Sequence, residues 1–184
     1  MSILKVNTIQ DKGGNNLLVS DGAGTISSGG LMTMTPAFYV SRSGSNQQIN
    51  DETYTTVAFN NVLLDTDSGY STSTYKYTIP TTGKYYIFYS IYGYSPSNTD
   101  GLERFYVRLF KNSDVQLAQS YYDHRNNPGY IYSNQMSHIE SLSANDTIYV
   151  QAFIDVTNGV ADPEIGGSSS RAITSFGAYR IIGA

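Results

Sequence analysis

The sequence has no cysteine and no tryptophan, and it has only five prolines and two histidines. Without cysteine there is no disulfide framework, no thiol nucleophile and no thiolate-bound zinc. Lys and Arg together number 11 against 15 Asp and Glu, for a formal charge of -4. A nucleic-acid partner requires a basic stripe, so none is expected. No window approaches the roughly 20 apolar residues of a membrane helix, and no membrane insertion is expected. The opening Met1-Ser2-Ile3-Leu4-Lys5-Val6-Asn7 lacks the basic region followed by about 7–15 apolar residues of a secretory signal, so synthesis in the host cytoplasm without a signal peptide is expected.

Catalytic patterns are equally scarce. His138 and Glu140 stand two apart and would share a strand face, which suits a hydrogen-bonded pair better than a metal site lacking a third ligand. Asp123-His124-Arg125 places acid and imidazole side by side, where neither can orient the other as a triad does. There is no Gly-x-Ser-x-Gly elbow and no Walker-type Gly-Lys-Ser. No enzyme activity and no cofactor are expected. Calcium is the one ion weighed, because Asp65, Asp67, Asp100, Asp155 and Asp162 fall in loops or at strand ends. A hard cation wants about 6–8 oxygens, however, and no loop converges them. Asn145-Asp146-Thr147 is a glycosylation sequon that coincides with a turn signal.

What the chain has in abundance is 17 tyrosines and 17 glycines among many Ser, Thr and Asn residues, with no long helical-period run. That composition predicts an all-β protein, and 184 residues suffice for one well-buried core. Residues 1–35 stand apart. Isolated Ile3, Val6 and Ile9 are followed by Gly/Asn/Ser clusters around two short strand candidates, Leu17-Leu18-Val19 and Thr25-Ile26. Such a segment must pack on neighbours or stay loose.

The organising stretch runs from Phe59 to Tyr94. Pro80-Thr81-Thr82-Gly83 predicts a turn joining two strands as a hairpin. Beyond it, Tyr85, Ile87, Tyr89 and Ile91 fall on one strand face and Tyr86, Phe88, Ser90, Tyr92 and Tyr94 on the other. A strand that is aromatic or apolar on both sides is expected to be covered twice, once by its own core and once by another subunit. Subunit contacts are assigned to Tyr85, Ile87, Tyr89 and Ile91, joined by Tyr149, Phe153 and Tyr179 from the later strands. Tyr121, Tyr122, Asp123, His124, Arg125, Tyr130 and Tyr132 form a second aromatic group, in a loop-like excursion. Tyrosine there suits sugar or protein recognition at low rotamer-entropy cost.

Spacing within the organising stretch also carries a resemblance. Phe59, Asp65, Tyr70, Tyr77, Gly83, Tyr85, Ile87 and Tyr89 match the pattern of C1q-like globular domains, with Tyr77 and Ile87 where that family has Phe. Leu142-x-x-Asn145-Asp146-x-Ile148-x-Val150 and the closing Ser175-Phe176-Gly177-Ala178-Tyr179 are similar to the same family, so the resemblance covers 36–184. It implies a jelly-roll β-sandwich of the C1q/TNF type that forms a homotrimer, with a short extended attachment segment ahead of it. The leader pattern Ile3-Leu4-Lys5-Val6-Asn7-Thr8-Ile9-Gln10, followed by a Gly-Gly/Asn turn, resembles the opening of phage structural and tail-fibre proteins. That resemblance implies a virion structural protein, a short fibre or a capsid or tail decoration on the virion surface. Residues 1–35, through Ile3, Val6 and Ile9, would attach it to other virion proteins, and the head would face a host-surface glycan or protein. A non-viral bacterial binding module of the same fold is the alternative.

Overall fold

The computed structural model describes residues 7–20, 26–28, 35–95, 97, 100–159 and 162–181. Ile3 and Val6 lie outside the described residues. Contacts divide the chain into a leader unit and a head, Thr35–Ile181, each described by itself.

The leader is a three-stranded antiparallel sheet of β1 (Thr8–Gln10), β2 (Asn16–Ser20) and β3 (Ile26–Ser28), in that order. Its first turn is built by Asp11. One carboxylate oxygen accepts from the backbone N–H groups of Gly13 and Asn15, the other accepts from the Asn15 side chain, and Gly14 takes a φ of 83°.

The head comprises β4 (Ala37–Ser41), β5 (Gln47–Gln48), β6 (Thr55–Thr56), β7 (Asn61–Asp65), β8 (Tyr70–Ser71), β9 (Lys76–Thr78), β10 (Gly83–Tyr94), β11 (Leu102–Lys111), β12 (Val115–Asp123), β13 (Ile131–Leu142), β14 (Thr147–Val156), β15 (Glu164–Ile165) and β16 (Ser175–Arg180). They form two antiparallel sheets. One runs β7-β4-β16-β10, with β13 on the far edge of β10 and β15-β5 extending its end. The other runs β12-β11-β14, with β9-β8 and β6 alongside β14. The result is an all-β jelly-roll sandwich.

Alternation decides what fills it. Tyr85, Ile87, Tyr89 and Ile91 of β10 meet Phe105, Val107 and Leu109 of β11 and Ile148, Val150, Ala152 and Ile154 of β14 in one buried cluster. Each fully buried aliphatic or aromatic side chain contributes roughly 1.5–3 kcal/mol relative to exposure. These four β10 residues are 0–3% exposed, so the assignment of Tyr85, Ile87, Tyr89 and Ile91 to subunit contacts is corrected: the chain's own second sheet covers them. Buried polar groups close the β12–β13 side. The Tyr89 hydroxyl lies 2.5 Å from Ser120 Oγ and 3.1 Å from the Val107 carbonyl, and Ser120 hydrogen-bonds Asn134, whose Nδ2 donates to the Phe105 carbonyl at 3.2 Å.

The expected hairpin at residues 80–83 is also corrected. β9 pairs with β14 and β10 with β13 and β16, so this turn carries the chain from one sheet to the other. Local turn chemistry is the same in both cases, and only the partner strands distinguish a hairpin from a crossover. Asn145, at the turn signal before β14, takes a φ of 74°, and Asn112, between β11 and β12, one of 58°.

The eight-residue spacing pattern acquires a physical reason. Asp65 accepts from the N–H groups of Gly69 and Tyr70, and the Tyr70 hydroxyl donates to the Phe59 carbonyl. Tyr77 stacks on Phe38 with ring centroids 4.0 Å apart, and the Tyr85 hydroxyl donates to the Thr81 carbonyl. These residues fasten the crossing of the chain between sheets, a structural task rather than a chemical one.

Candidate functional site

Two surfaces stand out on the head. The first is the outward face of the β10 sheet. Register sets its side chains in rows across the strands. Ile139, Tyr86, Tyr179 and Ala37 make one row, and Ser137, Phe88, Gly177, Tyr39 and Leu64 the next. The row after that is polar, with Gln135, Ser90, Ser175, Ser41 and Asn61. Within the apolar rows the rings touch: Tyr86 and Tyr179 have centroids 5.4 Å apart, and Phe88 is 6.1 Å from Tyr86 and 6.0 Å from Tyr39.

These rings are only half-buried, while Ile139 at one margin is 58% exposed and Leu64 at the other 49%. An open depression of about 590 Å³ lies among Tyr86, Phe88, Ser90, Gln135 and Ser137. Contiguous apolar surface of this kind marks an interaction face. Of the residues assigned to subunit contacts, Tyr179 lies on it. Tyr149 and Phe153 lie on the opposite sheet and are corrected as well. Phe110 stacks on Tyr149 and Tyr106 on Phe153, each at 5.3 Å, with Tyr54 against Phe153 and Lys76 over Tyr149, leaving them 5% and 8% exposed.

The second surface lies at the end of the sandwich where β10 finishes and β13 begins. His124 stacks flat on Tyr132, with centroids 4.3 Å apart and planes 5° from parallel, and Tyr122 packs 6.1 Å from Tyr132. Tyr130 sits 6.2 Å from Tyr94. Arg125 Nε and Nη2 donate to the two carboxylate oxygens of Asp123 at 2.9 and 2.7 Å, which holds that carboxyl below its usual range. Tyr121 belongs elsewhere. It points out of the other sheet, 65% exposed, edge-on to Tyr106. Tyr122, His124 and Tyr132 pack together on the core-facing side of β13, where Tyr132 lies opposite Gly93, whereas Tyr130 packs against Tyr94, which was not foreseen there and belongs to the outward face. The signal was the alternation of β10 itself, which puts Tyr94 on the face of Tyr86.

Neither surface presents a catalytic arrangement. Asp123 is committed to Arg125, and the His124 ring to Tyr132. His138 Nε2 and Glu140 lie 3.1 Å apart as a partly exposed pair on edge strand β13. Among the described residues no three His, Asp or Glu side chains converge on a point a metal could occupy. Asp65 is engaged by backbone amides, Asp155 by Arg104, and Asp100 accepts from Asn158.

A sandwich of this topology defines a C1q/TNF-type jelly-roll fold. The C1q domain family matches residues 37–171, and the chain belongs to that family. Among solved structures it is similar to the globular domain of zebrafish complement 1qA protein, at 18% identity and TM-score 0.55 over 80% of this chain and 98% of that one. It is also similar to Eiger TNF from S. frugiperda, at 14% and 0.59 over 80% and 93%, and to murine APRIL, at 12% and 0.56 over 79% and 98%. No curated protein matches the chain.

Proposed function

We propose that the chain is a non-catalytic recognition head that assembles as a homotrimer through the apolar rows of the β10 sheet. The observation that carries this is the half-covered ring cluster of Tyr39, Tyr86, Phe88 and Tyr179 between exposed Leu64 and Ile139. A face of this kind is stable in water only when covered. Closed cyclic symmetry covers it on every copy without leaving an open end. Heads of the C1q and TNF type assemble as trimers, which supports three as the number of copies.

Polarity along the sandwich supports display of the other surface. The apolar rows lie near the start of β10, at Tyr86 and Phe88. Tyr94 and Tyr130 lie at its other end, roughly 20–27 Å from Phe88 and Tyr86 at about 3.4 Å per residue. A head held at one end thus presents Tyr122, Asp123, His124, Arg125, Tyr130 and Tyr132 at the other. Their stacking faces and forked polar groups suit a surface glycan or a protein epitope. Three weak sites on one particle would act together.

The leader supports a biological setting. Its resemblance to phage structural proteins supports a virion component, a short fibre or a capsid or tail decoration at the virion surface, joined to other virion proteins through residues 1–35. Peptide mass spectrometry of purified particles tests the setting, and absence from particles leaves a non-viral binding module of the same fold.

Sedimentation equilibrium tests the assembly. The wild-type chain is expected at three-chain mass at micromolar concentration, and Phe88→Asp, which puts a charge in the apolar row, as a folded single chain. A monodisperse wild-type monomer, or an undisturbed Phe88→Asp trimer, overturns the assignment.

A further inference from the structure

None of the described side chains of the leader sheet is buried. Ile9 of β1 and Leu18 of β2 are directly opposite each other, yet they are 46% and 37% exposed. Three short strands hold together in water only with an apolar face packed against something. The only charges in the described leader, Asp11 and Lys12, are confined to its first turn. No like charge on the strands therefore opposes close approach of a second such sheet.

The head indicates what the cover is, and here the inference rests on the trimer proposed above. Ala37 opens β4 in the apolar row beside Tyr179, so the chain enters the head on the face that three copies would share. Between the last residue of β3 and Thr35 lie residues 29–34, a span of no more than roughly 25 Å at full extension. Any trimer formed through that face holds three leaders together at an effective concentration on the order of millimolar.

We infer that the three leader sheets pack their Ile9–Leu18 faces against one another, so that the leader is a three-chain β stem whose core exists only between copies. Its partner is a second and third copy of this chain.

The absence of cysteine makes the test clean. Ile9→Cys and, separately, Leu18→Cys carry a single nitroxide each on the full-length chain, and spin spectra are compared with samples diluted by unlabelled chains. Strong dipolar broadening that disappears on dilution is expected at both positions. In the double variant Ile9→Asp/Leu18→Asp, amide exchange over residues 8–20 should accelerate at least about tenfold while the sedimenting mass stays that of three chains. A three-chain particle with uncoupled labels at both positions, or with unchanged exchange in the double variant, overturns the stem and leaves the head assignment standing. A single-chain mass overturns the head trimer and the stem with it.

Discussion

The ring of Phe88 lies across Gly177 of the neighbouring strand, so closely that a Cβ at 177 would stand 2.7 Å from Phe88 Cζ and 2.8 Å from the Phe38 carbonyl oxygen. The absent side chain lets the aromatic row pack flat, with Tyr39 on one side of the glycine and Phe88 on the other.

Gly177→Ala is therefore expected to destabilise the head by about 1–3 kcal/mol, because rotation of Phe88 relieves only one of the two close approaches and the other is to backbone. It should also weaken self-association by displacing Phe88. Urea unfolding and sedimentation measure the two effects, and a variant with unchanged midpoint and unchanged mass would show that the ring is free to leave.

Alkaline pH should unfold the protein together with tyrosine ionisation. Burial pushes the Tyr89 hydroxyl up to about 12, and burial likewise raises Tyr70, Tyr77 and Tyr85. An unfolded tyrosine ionises near pH 10, so above that pH the unfolded chain binds fewer protons than the folded one. Stability is fully present below about pH 10 and is lost as pH rises toward the folded values. Absorbance at the phenolate band should rise in a step that coincides with loss of far-ultraviolet dichroism. Gradual ionisation of all tyrosines with the fold intact would contradict this burial.

Arg104 holds the acidic end of β14. Its Nε donates to the buried Asp155 carboxylate at 2.5 Å and its Nη2 to Glu52, while burial first, and the Asp155 charge after it, raise the neighbouring Asp51. Arg104→Met leaves Asp155 without its cation and should cost about 2 kcal/mol at neutral pH, toward the low end because the arginine is partly solvated. Urea unfolding at neutral pH checks the loss, and an unchanged midpoint would show that the Asp155 carboxylate does not depend on Arg104.

Recognition and stability should separate at the loop cluster. Tyr130 is 46% exposed and the Arg125 side chain 61% exposed, so Tyr130→Ala and Arg125→Ala should each alter stability by less than about 0.5 kcal/mol. If the cluster is the binding surface, both should lower attachment of labelled protein to host cells or immobilised glycans, and should do so most visibly at low glycan density, where avidity is least. Unaltered attachment by both variants would move recognition elsewhere on the head.

Much of this was legible in one dimension, and the limits have a common cause. Composition and turn chemistry act locally, so the all-β class, the turn at Asn145 and the spacing from Phe59 to Tyr89 could be read residue by residue. Even the even-numbered face of β10 carried a hint, since Lys84 and Ser90 interrupt its rings while the Tyr85–Ile91 face has no polar side chain save hydroxyls.

Which side of that strand met the core was decided only in three dimensions. Hydrophobicity names two candidate faces, but only the approach of β11 and β14 buries one of them. The same is true of Pro80–Gly83, a turn whose meaning depends on β14 lying in the other sheet, and of Tyr149 and Phe153, which Tyr54, Tyr106 and Phe110 cover from other strands. The sequence by itself determined the strands, the bends and the stock of aromatic rings, because those depend on each residue and its neighbours. Tertiary structure alone decided which rings became core and which were left outward, because burial is a property of strands that meet from distant parts of the chain.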